Sequence, residues 1–184
     1  MPRDGLIVES QGLPRRRVGS ISVGMAGTLL SLGHGYSARA LARRLGPDWR
    51  VIGTTRSPEK TDQLREAGAE PRVWPGVDLA ADIADATHIL ASAAPDADGD
   101  PFLPRLGGAL ARARPRWVGY LSTTGVYGDH SGGWVDEQTP VAPGTERGRR
   151  RALAEAQWRA VSSDGDWPLA IFRLAGIYGP GRGP

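Results

Sequence analysis

Thr28-Leu29-Leu30-Ser31-Leu32-Gly33-His34-Gly35-Tyr36-Ser37-Ala38 is the stretch on which the fold is decided. An apolar run of strand character feeds a glycine-rich turn. Apolar side chains then recur at Ala38, Leu41, Ala42 and Leu45, and the pattern stops at Gly46-Pro47. That i, i+3, i+4, i+7 spacing is one face of a helix, and Gly-Pro is a helix stop signal. The turn therefore opens a helix. In a G-x-G-x-x-G/A unit the first glycine makes the tight turn and the second lets the backbone approach a pyrophosphate. The third small residue lets helix and strand pack closely, and the phosphates meet the free N–H groups and positive dipole of the helix start. Gly33, Gly35 and Ala38 fill the three small-residue places, and Tyr36 and Ser37 belong to the same cofactor-binding turn. The competing reading is an ordinary strand-to-helix turn, since the chain holds 26 glycines.

Working outward, 184 residues, 40% hydrophobic and 23% charged, are expected to form one globular domain. With no cysteine there is neither a disulfide framework nor a thiolate metal site. His34, His88 and His130 lie far apart, so no metal site is expected. No apolar stretch approaches membrane-spanning length and the N-terminus lacks the apolar core of a signal peptide, so the chain is expected to be cytoplasmic, without a membrane partner. The pI of about 9.8 suggests nucleic acid at first sight, but the net charge is only +3 and Lys60 is the sole lysine. Scattered arginines do not make a phosphate-tracking face, and no nucleic-acid partner is expected.

Residues 1–27 read as a disordered leader ahead of a nucleotide-binding domain over 28–184, with Met25 standing where such a domain ordinarily begins. Strands and helices then alternate. Strands are expected at Arg50–Thr55, Pro71–Trp74, Thr87–Ser92, Trp117–Leu121 and Leu169–Arg173. Helices are expected at Ser57–Gly68, Leu79–Asp85, Pro101–Ala113 and, after a long loop, Thr145–Val161. Such alternation implies an α/β fold, a Rossmann-type doubly wound parallel sheet with helices on both faces.

About twenty residues beyond the glycines, an acid would bind a ribose 2′-OH and an arginine would accommodate the 2′-phosphate of NADP. That place reads Gly53-Thr54-Thr55-Arg56-Ser57, with no acid. Thr55, Arg56 and Ser57 make a phosphate pocket, which favours NADP over NAD; the alternative is that Arg56 is a solvated helix-start residue. Asp78-Leu79, after the third strand, is the expected adenine contact, and an exposed loop acid is the alternative. Ala93, after the fourth strand, and Gly176, after the sixth, complete the cofactor-binding set.

Leu121-Ser122-Thr123-Thr124-Gly125-Val126-Tyr127-Gly128-Asp129 and Phe172-Arg173-Leu174-Ala175-Gly176-Ile177-Tyr178-Gly179-Pro180-Gly181 follow the glycine turn at a telling distance. From Thr28 onward the chain resembles the extended and atypical short-chain dehydrogenase/reductases, the NAD-dependent epimerase/dehydratase family. The resemblance implies a catalytic hydroxyl at Thr123 with Ser122 beside it, and the R-x-x-x-[VI]-Y-G-P segment as the far wall of the site. It also implies a Y-x-x-x-K pair at the start of the next helix. Here Arg147 stands at the tyrosine place and Arg151 at the lysine place. An arginine does not deprotonate near neutral pH and cannot shuttle a proton. The acid pair of the sugar-dehydratase branch is replaced by Thr124 and Gly125. Tyr127 reads as a packed aromatic.

Family members run on for roughly another hundred residues, a separate substrate domain in size, whereas this sequence stops at Pro184. The expectation is a Rossmann sheet truncated before its C-terminal substrate domain, with apolar surface near Ile171, Leu174 and Ile177. Two functions remain open. One is an oxidoreductase or epimerase-like enzyme acting on a small carbonyl, alcohol or sugar-type substrate, anionic if Arg147 and Arg151 grip it. The other is a non-catalytic NADP-binding or redox-sensing protein.

Overall fold

The strand before the glycine turn is apolar along its whole length because it lies in the middle of the sheet, covered on both faces. This strand, β1 (Gly27–Leu32), is buried at all six positions. The computed structural model describes residues 26–183. Most of the expected leader, and Met25, lie outside the described residues. The remaining strands are β2 (Trp49–Thr55), β3 (Glu70–Val73), β4 (His88–Ala91), β5 (Trp117–Thr123) and β6 (Leu169–Leu174). All pair in parallel, in the order β3-β2-β1-β4-β5-β6. This is the Rossmann order, with the reversal at β1, between β2 and β4.

Alternation along β1 divides the core between the two faces. Leu29 packs with Ala38 of α1 (Tyr36–Leu45) and Leu64 of α2 (Thr61–Glu66) on one side. Leu30 and Leu32 pack on the other with Ile83 of α3 (Ala80–Asp85), Leu106 and Leu110 of α4 (Leu103–Arg112), and Trp158 of α5 (Glu146–Gly165). The helix expected over Ser57–Gly68 begins instead as a 3₁₀ turn at Pro58–Lys60, since proline sets only the first turn and offers no N–H to the backbone ladder. Among the described residues, no helix is long and apolar enough to cross a membrane.

The α5 face carries the largest buried side chains. Tyr120 and Trp158 are both fully buried and stack with ring centroids 6.1 Å apart. Trp158 Nε1 donates to Asp100 Oδ2 at 2.8 Å, and the other carboxylate oxygen accepts from Phe102 N at 2.9 Å. Burial pushes the Asp100 carboxyl up, against those bonds. At the sheet edge, Ile171 packs partly against the α5-side core, while Phe172 stays 41% exposed. Leu174 and Ile177 are half-buried. Trp158→Ala should cost about 3–5 kcal/mol in urea unfolding, because it opens a ring-sized cavity and leaves a buried carboxylate short of a donor. A loss under about 1 kcal/mol would contradict this packing.

Candidate functional site

The glycine turn is clamped from both neighbouring strands. Gly33 adopts φ +87°, and a β-carbon there would meet Ala93 N at 2.7 Å. Gly33 N donates to Thr54 Oγ1 at 2.7 Å, and His34 N donates to Thr54 O at 2.9 Å. From β4, Ser92 Oγ donates to Gly33 O. Ser92 N and Ala93 N both donate to Leu32 O, at 2.9 and 3.2 Å. The turn thus sits at the C-terminal end of β1, where the strand order reverses and open α/β sheets bind ligands. Gly35 differs from Gly33: its φ is −88°, and a β-carbon would meet nothing within 4 Å. No side chain caps α1 and no acid lies in its first turn, so its leading N–H groups and dipole are left for a ligand. Ala38 is fully buried beneath the turn.

Two cavities meet at Gly35 and Ser92. The larger, about 590 Å³, takes in Thr55, Arg56, Ser57 and Ala93. Its volume suits a nucleotide-sized ligand. Among the described residues, Arg39, Arg56, Lys60 and Arg105 line it against a single acid, Asp96. Its apolar wall is Trp74 stacked on Phe102, centroids 5.6 Å apart, with the Arg105 guanidinium 5.8 Å from the Trp74 ring. Asp78 and Leu79 are not brought to this cavity, which corrects the adenine expectation. Leu79 is fully buried in the core, and the exposed Asp78 accepts from Ala80 N at 2.9 Å at the start of α3.

His34 and Arg39 are contributors that sequence reasoning did not single out. His34 is 7% exposed, packed against Gly53, and neither ring nitrogen has a hydrogen-bond partner among the described residues. The Arg39 Nε is likewise buried without a partner. Buried polar atoms normally find partners, so three without one among the described residues, all from residues on one cavity wall, point to a polar ligand. Burial, with the nearby Arg39 charge, lowers the His34 imidazole to about 4.

The smaller cavity, about 150 Å³, brings Tyr36, Ser37, Ser122 and Thr123 together with Arg147, Arg151 and Arg182. Thr123 is half-buried, and its Oγ1 accepts from Gly125 N at 3.2 Å. Ser122 is anchored below it, donating to Glu155 Oε1 at 2.6 Å. Glu155, 1% exposed on α5, also takes both prongs of Arg173 at 3.1 and 2.9 Å and Arg159 at 3.0 Å. Burial works to raise the Glu155 carboxyl, but the bonds from Arg173, Ser122 and Arg159 outweigh it and hold the group below its usual range. Arg173 in turn donates to Tyr127 Oη at 2.9 Å and lies 4.7 Å from that ring centroid, so Tyr127 is packed, 6% exposed.

Arg151 is not free to meet a substrate. It donates to Leu121 O at 2.7 Å, Tyr120 Oη at 3.1 Å and Ala93 O at 3.3 Å, tying β4 to β5. Arg147 is exposed. Gly176 is exposed outside both cavities, although its neighbours Ala175 and Ile177 line the smaller one. No group of three or more His, Cys, Asp or Glu that could hold a metal is found among the described residues.

Two measurements check this geometry. Gly33→Ala should cost about 2 kcal/mol or more, from positive φ and the collision with Ala93, whereas Gly35→Ala should stay within about 1 kcal/mol of the parent. Equal losses in urea unfolding would contradict the assignment of the two glycines. His34 favours its neutral form in the fold, so its contribution is complete above about pH 6.5 and is lost as the pH falls from there toward about 4. His34→Gln should flatten that part of the stability profile. An unchanged slope between pH 6.5 and 5 would place the titrating group elsewhere.

Comparison with known proteins agrees with this architecture. Residues 105–184 match the NAD dependent epimerase/dehydratase family. The chain is 33% identical to protein YeeZ of Escherichia coli K12, over 83% of this chain and 60% of that one. It is 57% identical to a functionally unknown conserved protein from Silicibacter pomeroyi, with a TM-score of 0.79 over 85% of this chain and 56% of that one. UDP-glucuronic acid 4-epimerase from Bacillus cereus, solved in complex with NAD, shares the fold at 20% identity and a TM-score of 0.67, over 83% of this chain and 57% of that one. The chain thus spans a little over half the length of these proteins. Over residues 105–184 the chain is thus similar in sequence to the NAD dependent epimerase/dehydratase family, and its sheet is of the Rossmann type.

Proposed function

We propose that residues 28–184 act as the NADP-binding unit of an oxidoreductase or epimerase-like enzyme working on a small carbonyl, alcohol or sugar-type substrate in the cytoplasm. The observation that carries this is the uncapped start of α1 at the strand-order reversal, with one cavity on each side of Gly35. That arrangement divides a dinucleotide into an adenosine half and a nicotinamide half about its pyrophosphate. The Bacillus cereus epimerase was solved with NAD. Here the end of β2 offers Arg56 where an acid would hold a 2′-OH, with Arg39 and Lys60 on the same cavity. Those three cations favour a 2′-phosphate. Trp74 and Phe102 supply a flat apolar wall for adenine.

When bound, the nicotinamide would supply a hydride donor or acceptor. The chain's own part is to orient and polarise. Thr123 presents a hydroxyl to the smaller cavity, and Ser122 beside it is fixed by Glu155. Proton transfer by the usual tyrosine is closed, because Arg147 occupies its place and a guanidinium is not a proton shuttle. The same replacement favours a second reading, an NADP-binding sensor without turnover.

NADPH should bind about tenfold or more tightly than NADH in calorimetry at low salt, and Arg56→Ala should remove most of the difference. Gly35→Val should abolish NADPH binding while the melting curve barely moves. Equal affinity for the two cofactors would contradict the role of Arg56. NADPH oxidation with a panel of carbonyl compounds separates enzyme from sensor.

A further inference from the structure

The smaller cavity is lined by Arg147, Arg151 and Arg182 and by no carboxylate. Following each charge to its partner shows which are spent. Arg151 is taken by three oxygens, two of them backbone carbonyls. Glu155, beneath Ser122, is balanced by Arg173 and Arg159 and contributes no free negative charge to the cavity.

The start of α5 reads Glu146-Arg147-Gly148-Arg149-Arg150-Arg151. Cations in the first turns of a helix oppose its dipole. Glu146 offsets this for Arg149 and Arg150, at 3.1 and 3.0 Å. Arg147 makes no hydrogen bond or ion pair among the described residues, yet it lies on the cavity wall. Arg182, from the segment after β6, stands 5.6 Å from the Tyr36 ring centroid and likewise has no carboxylate partner among the described residues. Two cations from separate parts of the chain therefore face one cavity that also holds the Thr123 hydroxyl, with no carboxylate among the described residues to meet them.

We propose that this cavity binds an oxyanion of the substrate, a carboxylate or a phosphate, held by Arg147 with Arg182 and placed beside Thr123. The substrate class is then an anionic carbonyl or alcohol compound. The proposal deepens the nucleotide-binding function above and rests on it only for the identity of the neighbouring ligand. A guanidinium fork matches either oxyanion in two parallel hydrogen bonds, which an ammonium cannot do.

The test is calorimetric titration of the NADPH-saturated protein at low ionic strength with oxalate and, separately, inorganic phosphate. Saturation first removes the cofactor's own pyrophosphate as the occupant. Saturable binding of either anion is expected, weakened about tenfold or more in Arg147→Gln and partly restored in Arg147→Lys. Both variants should keep the parent's melting curve, since Arg147 is exposed, and each is titrated at NADPH concentrations that saturate it. Preference for oxalate would mark a carboxylate substrate, and preference for phosphate a phosphorylated one. No saturable binding of either anion, or binding that Arg147→Gln leaves unchanged, overturns the proposal. If the parent does not take up NADPH, the nucleotide-binding function fails separately. The same titration of the free protein then decides the anion site: loss in Arg147→Gln but not in Arg56→Ala supports it, and the reverse overturns it.

Discussion

A main-chain collision that only glycine avoids governs the rest of the structure. At Gly33 the chain turns with φ +87°, close enough to Ala93 that any β-carbon would strike backbone. This lets Thr54 from one neighbouring strand and Ser92 from the other hold the turn together. It also starts α1 at the end of β1, with its first N–H groups at the junction of the two cavities. Gly35 has no such structural duty. Its lack of a side chain leaves open space, which is what a close-approaching ligand requires.

On the other side of the junction, chemistry has been exchanged for charge. A tyrosine and lysine pair would be able to pass a proton; a guanidinium is not a proton shuttle. The two replacements have different fates. Arg151 has become a structural tie, satisfied by oxygens at the ends of β4 and β5. Arg147 lies at the cavity with no carboxylate partner among the described residues. Below them, Ser122, Glu155, Arg173 and Tyr127 form a buried chain of hydrogen bonds. Removing one member of such a network strands the others, and this supports the rigidity of the strand end that carries Thr123.

The elements that position the site were legible because they are local. Strand runs, the helix period after Ala38 and the Gly-Pro stop are all written within a few residues of one another, and the six strands follow from such local patterns. Arg56 was legible for the same reason, as the residue that directly follows β2. Contacts between distant segments were not legible. Trp74 and Phe102 lie far apart in sequence and meet only across the sheet end. Asp78-Leu79 looked like a ligand pair because it follows β3, but the chain had already turned and Leu79 was taken into the core. His34 sat between the two glycines in plain view. Its burial against Gly53 needed β2 in place to be seen.

The central claim is that the turn from Gly33 to Ser37 receives the pyrophosphate of a dinucleotide. Amide nitrogen–proton NMR spectra during titration with NADPH test it most directly, because the reporting groups are the N–H groups themselves. The largest shifts should fall on Gly33, Gly35, Tyr36 and Ser37, with smaller ones at Thr55, Arg56 and Ala93. Shifts confined to other parts of the surface, with the Gly35 and Tyr36 amides unmoved at saturation, would contradict it.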